Sequence, residues 1–139
     1  MAKQLTLECN SNGKTQHRPQ RRSAGRARPG QTAVVRPDQP GPWRGHLPGE
    51  ALGTTTTILA YGNEAVGTGP ALHVHPYDEL FVVVEGRGRF YVGDAVIDAQ
   101  AGEVVLGPKG LPHRFENLGP GRLQTIDIHL GPQWRQADL

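Results

Sequence analysis

Short runs of β-prone residues, each ended by glycine or proline, are the feature that most limits how this chain of 139 residues can fold. The sequence contains 19 glycines and 12 prolines, which favour turns over long regular elements. The runs predicted as strands span residues 32–35, 54–61, 72–75, 79–85, 89–92, 95–98, 104–106, 114–116 and 123–130. No segment predicts a helix. Short strands at this spacing are typical of an all-β sandwich or barrel.

The first 30 residues differ from the rest in charge and in apolar content. They carry seven basic residues and one acidic residue, a net charge of +6, whereas residues 31–139 have a net charge of −4. A polar, Arg-rich segment cannot bury enough surface to offset the entropy of ordering it. We therefore predict a basic, disordered tail over 1–30 and a single β-barrel domain over 31–139. Alternatives for the tail are an extension from an upstream start codon, a transit peptide and an electrostatic tether to nucleic acid.

Several classes of function are disfavoured by composition. Cys9 is the only cysteine, so no disulfide can form within the chain, and a cytoplasmic location is expected. No apolar stretch approaches the roughly 20 residues that a membrane span needs, so no membrane partner is expected. Because residues 31–139 are mildly acidic, nucleic-acid binding would be limited to a contact made by the tail.

Two histidines lie two residues apart in the segment that begins at Gly67. Side chains at positions i and i+2 of a strand point to one face, so His73 and His75 can converge while Val74 points to the other side. Pro76 bends the chain, and Glu79 can then turn its carboxylate back toward the same point. The sequence therefore predicts a cluster of polar side chains here.

A second segment, from Gly102 to Asn117, offers a third imidazole at His113. Three neutral imidazoles and one carboxylate suit a divalent transition metal, so one ion per chain is predicted. The donor set fits Fe, Mn, Ni, Zn, Co or Cu. Four protein ligands leave two positions of an octahedron for water or for a chelating small molecule, the open geometry that metal-assisted catalysis needs.

Both segments resemble the conserved motifs of the cupin superfamily, in particular its small single-domain members. The first reads Gly-x5-His-x-His-x3-Glu-x6-Gly from Gly67 to Gly86, and the second reads Gly-x5-Pro-x-Gly-x2-His-x3-Asn from Gly102 to Asn117. Every defining position is filled. The resemblance implies an all-β double-stranded β-helix, or jelly roll, with the metal inside its mouth. By motif position the metal ligands are His73, His75, Glu79 and His113.

The resemblance also implies a range of functions. A metal-dependent enzyme acting on a small polar organic molecule is one, with dioxygenation, decarboxylation, isomerisation or elimination as the reaction classes. Glu79 is the catalytic candidate, because it can leave the metal and carry a proton. The alternative is a non-catalytic, metal-dependent module that binds a sugar or a small acid. Cupins often pair through their outer sheet, so a homodimer is expected.

Other polar and aromatic residues could contribute to the site or lie elsewhere. Asp127 and His129 alternate with Ile126, Ile128 and Leu130 on the last predicted strand. The apolar face is expected to pack inward or against a partner, and His129 is expected at the pocket rim or a dimer contact, without a catalytic role. Phe81 and Phe115 are expected to line the pocket. We expect His46 on the surface and His17 in the tail.

Overall fold

The structure, a computed structural model, describes residues 44–139. The predicted tail, the boundary between residues 30 and 31, and the first predicted strand lie outside these described residues. The strands are β1 (Arg44–Leu47), β2 (Thr57–Asn63), β3 (His73–Val74), β4 (Glu79–Glu85), β5 (Arg87–Val92), β6 (Ala95–Gln100), β7 (Val104–Gly107), β8 (His113–Asn117), β9 (Leu123–His129) and β10 (Ala137–Asp138). One helical turn, α1, spans Gly49–Leu52. No helix within 44–139 is long and apolar enough to cross a membrane.

The strands form two antiparallel sheets of five strands each. Sheet A has the order β1-β2-β9-β4-β7, and sheet B has the order β10-β3-β8-β5-β6. Neighbours in each sheet are mostly distant in sequence, because the chain crosses repeatedly from one sheet to the other. This is the jelly roll predicted from the sequence.

Most strand predictions agree with the structure, and β4 spans the predicted residues. The prediction that no helix forms was wrong for the short α1. Gly53 ends α1 in the left-handed conformation at φ 71°, so β2 begins at Thr57 rather than at the predicted Thr54. A single turn leaves no apolar periodicity of 3.6 residues, which is why the sequence pattern did not reveal it.

An aromatic cluster fills the space between the sheets. Phe81 on β4, Phe90 on β5 and Phe115 on β8 are almost completely buried. The ring of Phe115 lies 5.5 Å from that of Phe81 and 5.2 Å from that of Phe90, centroid to centroid. Full burial of one such side chain stabilises the fold by about 1.5–3 kcal/mol. The cluster holds the two sheets at a fixed separation at one end of the polar site.

The turn between β4 and β5 depends on Gly86, whose φ is +77°. A Cβ atom at this position would lie 2.0 Å from the carbonyl oxygen of Arg122, which is backbone and cannot move aside. Gly67 has nearly the same φ, +78°, but no described atom lies within 4 Å of where its Cβ would be. A comparison of alanine variants at these two positions therefore separates the effect of backbone strain from the effect of a steric clash.

We predict that Gly86→Ala lowers the free energy of unfolding by about 2 kcal/mol more than Gly67→Ala does. Both variants incur the cost of a left-handed alanine, but only the first also forces an overpacked contact. Urea denaturation of the two purified variants measures the difference. Equal losses of stability would show that the contact with Arg122 is unimportant.

Candidate metal centre

Four buried side chains from both sheets meet at one end of the space between them. His73 is the first residue of β3, His75 follows that strand, Glu79 begins β4 and His113 begins β8. One potential ligand atom from each residue lies within 4.8 Å of the corresponding atoms of the other three. All four are at most 4% exposed. The structure thus brings together the four residues that the sequence motifs single out.

The register of the strands explains this convergence. His73 lies directly opposite His113 in the pairing of β3 with β8, and Glu79 lies opposite Gly107 in the pairing of β4 with β7. A Cβ atom at Gly107 would lie only 3.2 Å from Nδ1 of His113. The absence of a side chain at Gly107 therefore leaves room for the His113 ring beside Glu79.

Backbone carbonyl groups orient the three imidazole rings in the same way. In each ring Nδ1 lies at hydrogen-bond distance from a carbonyl oxygen, so Nδ1–H donates outward. The acceptors for His73, His75 and His113 are the carbonyl oxygens of Ala71 (2.7 Å), Arg135 (2.5 Å) and Leu111 (2.9 Å), respectively. This arrangement leaves Nε2 as the ring nitrogen that can bind a metal once it carries no proton.

The acceptor for His75 is itself held in place by a neighbouring side chain. The Tyr77 hydroxyl accepts a hydrogen bond from the backbone N–H of Arg135 at 2.7 Å and donates to its carbonyl oxygen at 3.1 Å. The Tyr77 ring also stacks on His75, with centroids 5.3 Å apart. Residues near the end of the chain therefore help to fix an imidazole that lies 60 positions earlier.

The Glu79 carboxylate lies among these imidazoles. Its Oε2 atom is 2.9 Å from Nε2 of His113 and 3.1 Å from Nε2 of His75. Burial alone would raise the pKa of Glu79, but hydrogen bonds from the surrounding imidazoles outweigh it and hold that pKa far below its ordinary value. Glu79 is therefore present as a carboxylate, the form that binds cations.

His129 also reaches Glu79, a contact that the sequence analysis did not predict. It lies directly opposite Glu79 in the pairing of β4 with β9, and its Nε2 is 3.0 Å from Oε1 of Glu79. His129 is 1% exposed, so the expectation of a rim or dimer contact was wrong. Because Oε1 accepts a hydrogen bond from His129, the other carboxylate oxygen, Oε2, is directed toward His75 and His113.

The polar face of β9 points inward, and this corrects the expectation of an inward apolar face. Thr125, Asp127 and His129 are buried, whereas Ile126 and Ile128 are only partly covered on the outer face of sheet A. Apolar residues usually mark the inner face of a strand, which made the outer-face isoleucines misleading. The alternation of Thr125, Asp127 and His129 was the sequence signal that could have indicated a polar inner face.

The donor atoms fit a divalent cation. With Nδ1–H groups donating outward, the Nε2 lone pairs and the Glu79 carboxylate face one another, and only a cation or additional protons can balance them. Nε2 of His75 is buried and faces Oε2 of Glu79 at 3.1 Å. Metal–ligand distances of roughly 2.0–2.2 Å place ligand atoms at most about 4.4 Å apart, so a small contraction of the cluster would suffice.

A cavity of about 270 Å³ opens beside the cluster. Its inner wall includes Glu79, His73 and His129, and its apolar walls include Phe81 and Phe115, as expected from the sequence. His46 and Trp134 lie at the partly exposed end, with ring centroids 5.5 Å apart. The expectation that His46 is on the surface is confirmed, although it also contributes to the mouth of the cavity.

Asp127 contributes a second carboxyl group to the cavity wall. It is 4% exposed, and its Oδ1 atom has no hydrogen-bond partner within the described part of the chain. Burial raises the pKa of Asp127 well above its ordinary value of 3.8, and the negative charge of Glu79 raises it further. The two carboxyl groups of the site therefore have opposite pKa shifts, because imidazoles surround only Glu79.

Two of the imidazoles have opposite pKa shifts. Burial, and to a smaller extent the charges of neighbouring histidines, lower the pKa of His73 below its ordinary value of 6.5. Burial also acts to lower the pKa of His75, but hydrogen bonds to Glu79 and to the Arg135 carbonyl outweigh it and raise the pKa above 6.5. Of these two rings, His73 therefore loses its proton first as the pH rises.

We predict that in metal-free protein the Cε1–H resonance of His73 titrates with a midpoint below pH 6.5, and that of His75 with a midpoint above it. Proton NMR of protein stripped with a chelator measures both midpoints. The variants His73→Asn and His75→Asn assign the two resonances. The reverse order of midpoints would contradict the hydrogen-bond arrangement described above.

Sequence comparisons place the site within a recognised family domain. Residues 63–129 match the family model described as a cupin domain. Protein SchB of Streptomyces halstedii is 33% identical over 88 residues, 63% of this chain and 63% of SchB. Protein MJ1618 of Methanocaldococcus jannaschii is 29% identical over 69 residues, 49% of this chain and 55% of MJ1618. The chain thus matches little more than half the length of these relatives.

Solved structures share the fold. Oxalate decarboxylase from Bacillus subtilis superposes with a TM-score of 0.66 at 21% identity, covering 76% of this chain and 30% of that enzyme. The formate complex of oxalate decarboxylase from Lactobacillus farciminis gives a TM-score of 0.66 at 19% identity, covering 76% of this chain and 33% of the other. Mn(II) centres have been described in the B. subtilis enzyme. At such low identity the likeness concerns the fold alone.

Proposed function

We propose that this chain, whose residues 63–129 match the model of a cupin domain, is a metal-dependent enzyme that acts on a small organic molecule beside one divalent transition metal. The observation that supports this most strongly is the buried cluster of three imidazoles and one carboxylate at the wall of an accessible cavity. A purely structural metal site is normally closed by protein atoms, whereas a catalytic site keeps a side open to a ligand.

We assign the metal to His73, His75, Glu79 and His113. Their outward Nδ1–H bonds fix the tautomer of each imidazole, an outer-shell arrangement typical of metal-binding histidines. When bound, a divalent metal would supply positive charge that polarises an oxygen of the ligand. Mixed imidazole and carboxylate ligation is compatible with manganese, as in the B. subtilis neighbour, and also with iron, nickel, zinc, cobalt or copper.

Glu79 is proposed as the catalytic residue that exchanges a proton with the ligand. It lines the cavity, and the hydrogen bond from Nε2 of His129 to its Oε1 atom fixes the orientation of the carboxylate. Its low pKa keeps it a carboxylate before reaction but also makes it a weak base, so it would accept a proton only after leaving the metal and the surrounding imidazoles. Dioxygenation, decarboxylation, isomerisation and elimination each include a step in which such a group is useful.

We predict that His75→Ala removes stoichiometric metal from the purified protein, because it deletes one of the four candidate donor atoms. His46→Ala is the matched control, since it removes a histidine from the cavity mouth outside the cluster. Elemental analysis of both variants and the parent protein measures the metal content. Unchanged metal in His75→Ala would refute the ligand assignment.

Turnover distinguishes an enzyme from a non-catalytic module that binds a sugar or a small acid. Metal-loaded protein is incubated with a panel of small hydroxylated and carboxylated compounds, in air and without oxygen, and consumption is followed by mass spectrometry. Consumption of a compound by the parent protein, but not by His75→Ala, supports the enzyme. Metal-dependent binding without any consumption supports the module instead.

We further propose that the protein is a homodimer that pairs through the outer face of sheet A. Two rows of aliphatic side chains cross this face in register. One row contains Ile58, Ile128, Leu80 and Leu106, and the other contains Ile126, Val82 and Val104. Val104 is 57% exposed and Leu106 is 49% exposed. A contiguous apolar surface of this kind commonly marks a contact between proteins.

We predict that Val104→Lys converts the dimer to a monomer, because it places a charge within the paired surface. Val96→Lys is the control, since Val96 is 58% exposed but lies on β6 of the other sheet. Light scattering coupled to size-exclusion chromatography gives the mass of each variant. A monomeric parent protein, or a dimer that survives the Val104→Lys change, would contradict this interface.

A further inference from the structure

Asp127 has a buried carboxyl group whose polar atoms the protein does not fully satisfy. It lies on β9 between Thr125 and His129, on the face that points into the cavity. Its Oδ1 atom is buried and accepts no hydrogen bond from residues 44–139. Buried polar atoms are nearly always paired, and an unpaired one destabilises the fold. A partner that comes from outside the chain would remove this cost.

The surroundings of Asp127 restrict the chemistry of that partner. No lysine or arginine is among the described residues that line the cavity. Its walls are instead formed largely by apolar and aromatic side chains, among them Leu59, Tyr61, Phe81 and Phe115. The end of a ligand that faces Asp127 would therefore meet no lysine or arginine, and a carboxylate placed there would lie directly against another carboxyl group.

We propose that Asp127 selects the ligand by accepting a hydrogen bond from an uncharged donor group, such as a hydroxyl, on a molecule whose ring or hydrocarbon part contacts Phe81 and Phe115. This inference rests on the proposed metal site, because the opposite end of the ligand would lie beside Glu79 and His73. It narrows the substrate class to hydroxyl-bearing compounds and disfavours those that would place a carboxylate against Asp127, because no lysine or arginine is among the described residues that line the cavity.

Three probes that differ in a single group test this assignment. Catechol, 3,4-dihydroxybenzyl alcohol and 3,4-dihydroxybenzoate share one ring and two adjacent hydroxyls, and differ in having no further group, a neutral alcohol or a carboxylate. Calorimetric titration of zinc-loaded protein gives the Kd of each probe. Zinc is chosen because it does not oxidise the catechol ring. We expect the alcohol to bind about tenfold more tightly than catechol, and the carboxylate to bind more weakly than catechol.

Variants at Asp127 then assign the preference to this residue. Asp127→Leu should abolish the advantage of the alcohol over catechol while leaving the Kd of catechol within about twofold, because only the donor group loses its partner. Asp127→Asn, which keeps an acceptor oxygen, should retain the preference. Zinc content measured on the same samples shows that each variant is folded and loaded.

The outcomes separate this inference from the proposed function. Protein that fails to bind one zinc per chain would refute the metal site itself. Protein that binds zinc but shows equal affinity for the alcohol and catechol, no binding of the alcohol, or tighter binding of the carboxylate would refute the role of Asp127 and leave the metal site standing.

Discussion

The hydrogen bonds that turn three imidazole rings toward Glu79 are the interactions on which the rest of the site depends. Each ring donates Nδ1–H to a carbonyl oxygen of the backbone, so its orientation is set by the path of the chain rather than by another side chain. A backbone acceptor is difficult to lose by mutation and holds the ring in one tautomer. The cost of burying four polar side chains together is reduced because most of their polar atoms have defined partners.

Each sheet contributes its own pair of side chains to the site. Sheet B supplies His73 and His113 from paired strands, and sheet A supplies Glu79 and His129 from another pair. The aromatic cluster around Phe81, Phe90 and Phe115 keeps the sheets apart at a fixed spacing. Precise placement of the ligand atoms is therefore a property of the whole barrel, and among the four candidate ligands only His75 lies outside a strand.

The sequence was sufficient to predict the cluster because strand alternation and local bends are short-range properties. His73 and His75 share a face in any strand, and the two cupin-like motifs identified Glu79 and His113. His129 was misplaced because its position depends on the pairing of β4 with β9, which joins residues 50 positions apart. The inward direction of Asp127 was missed for the same reason, since an alternating strand shows two faces but not which of them is the inner one.

One contact also links the site to the order in which the chain is made. The carbonyl oxygen that orients His75 belongs to Arg135, and Tyr77 holds that backbone in place. The strand β10 then pairs with β3 beside the cluster. A nascent chain that has emerged only as far as β9 has all the candidate ligands but lacks this support. The centre can reach its final form only after Arg135 has been synthesised and docked, so metal capture is expected to be a late event in the maturation of the protein.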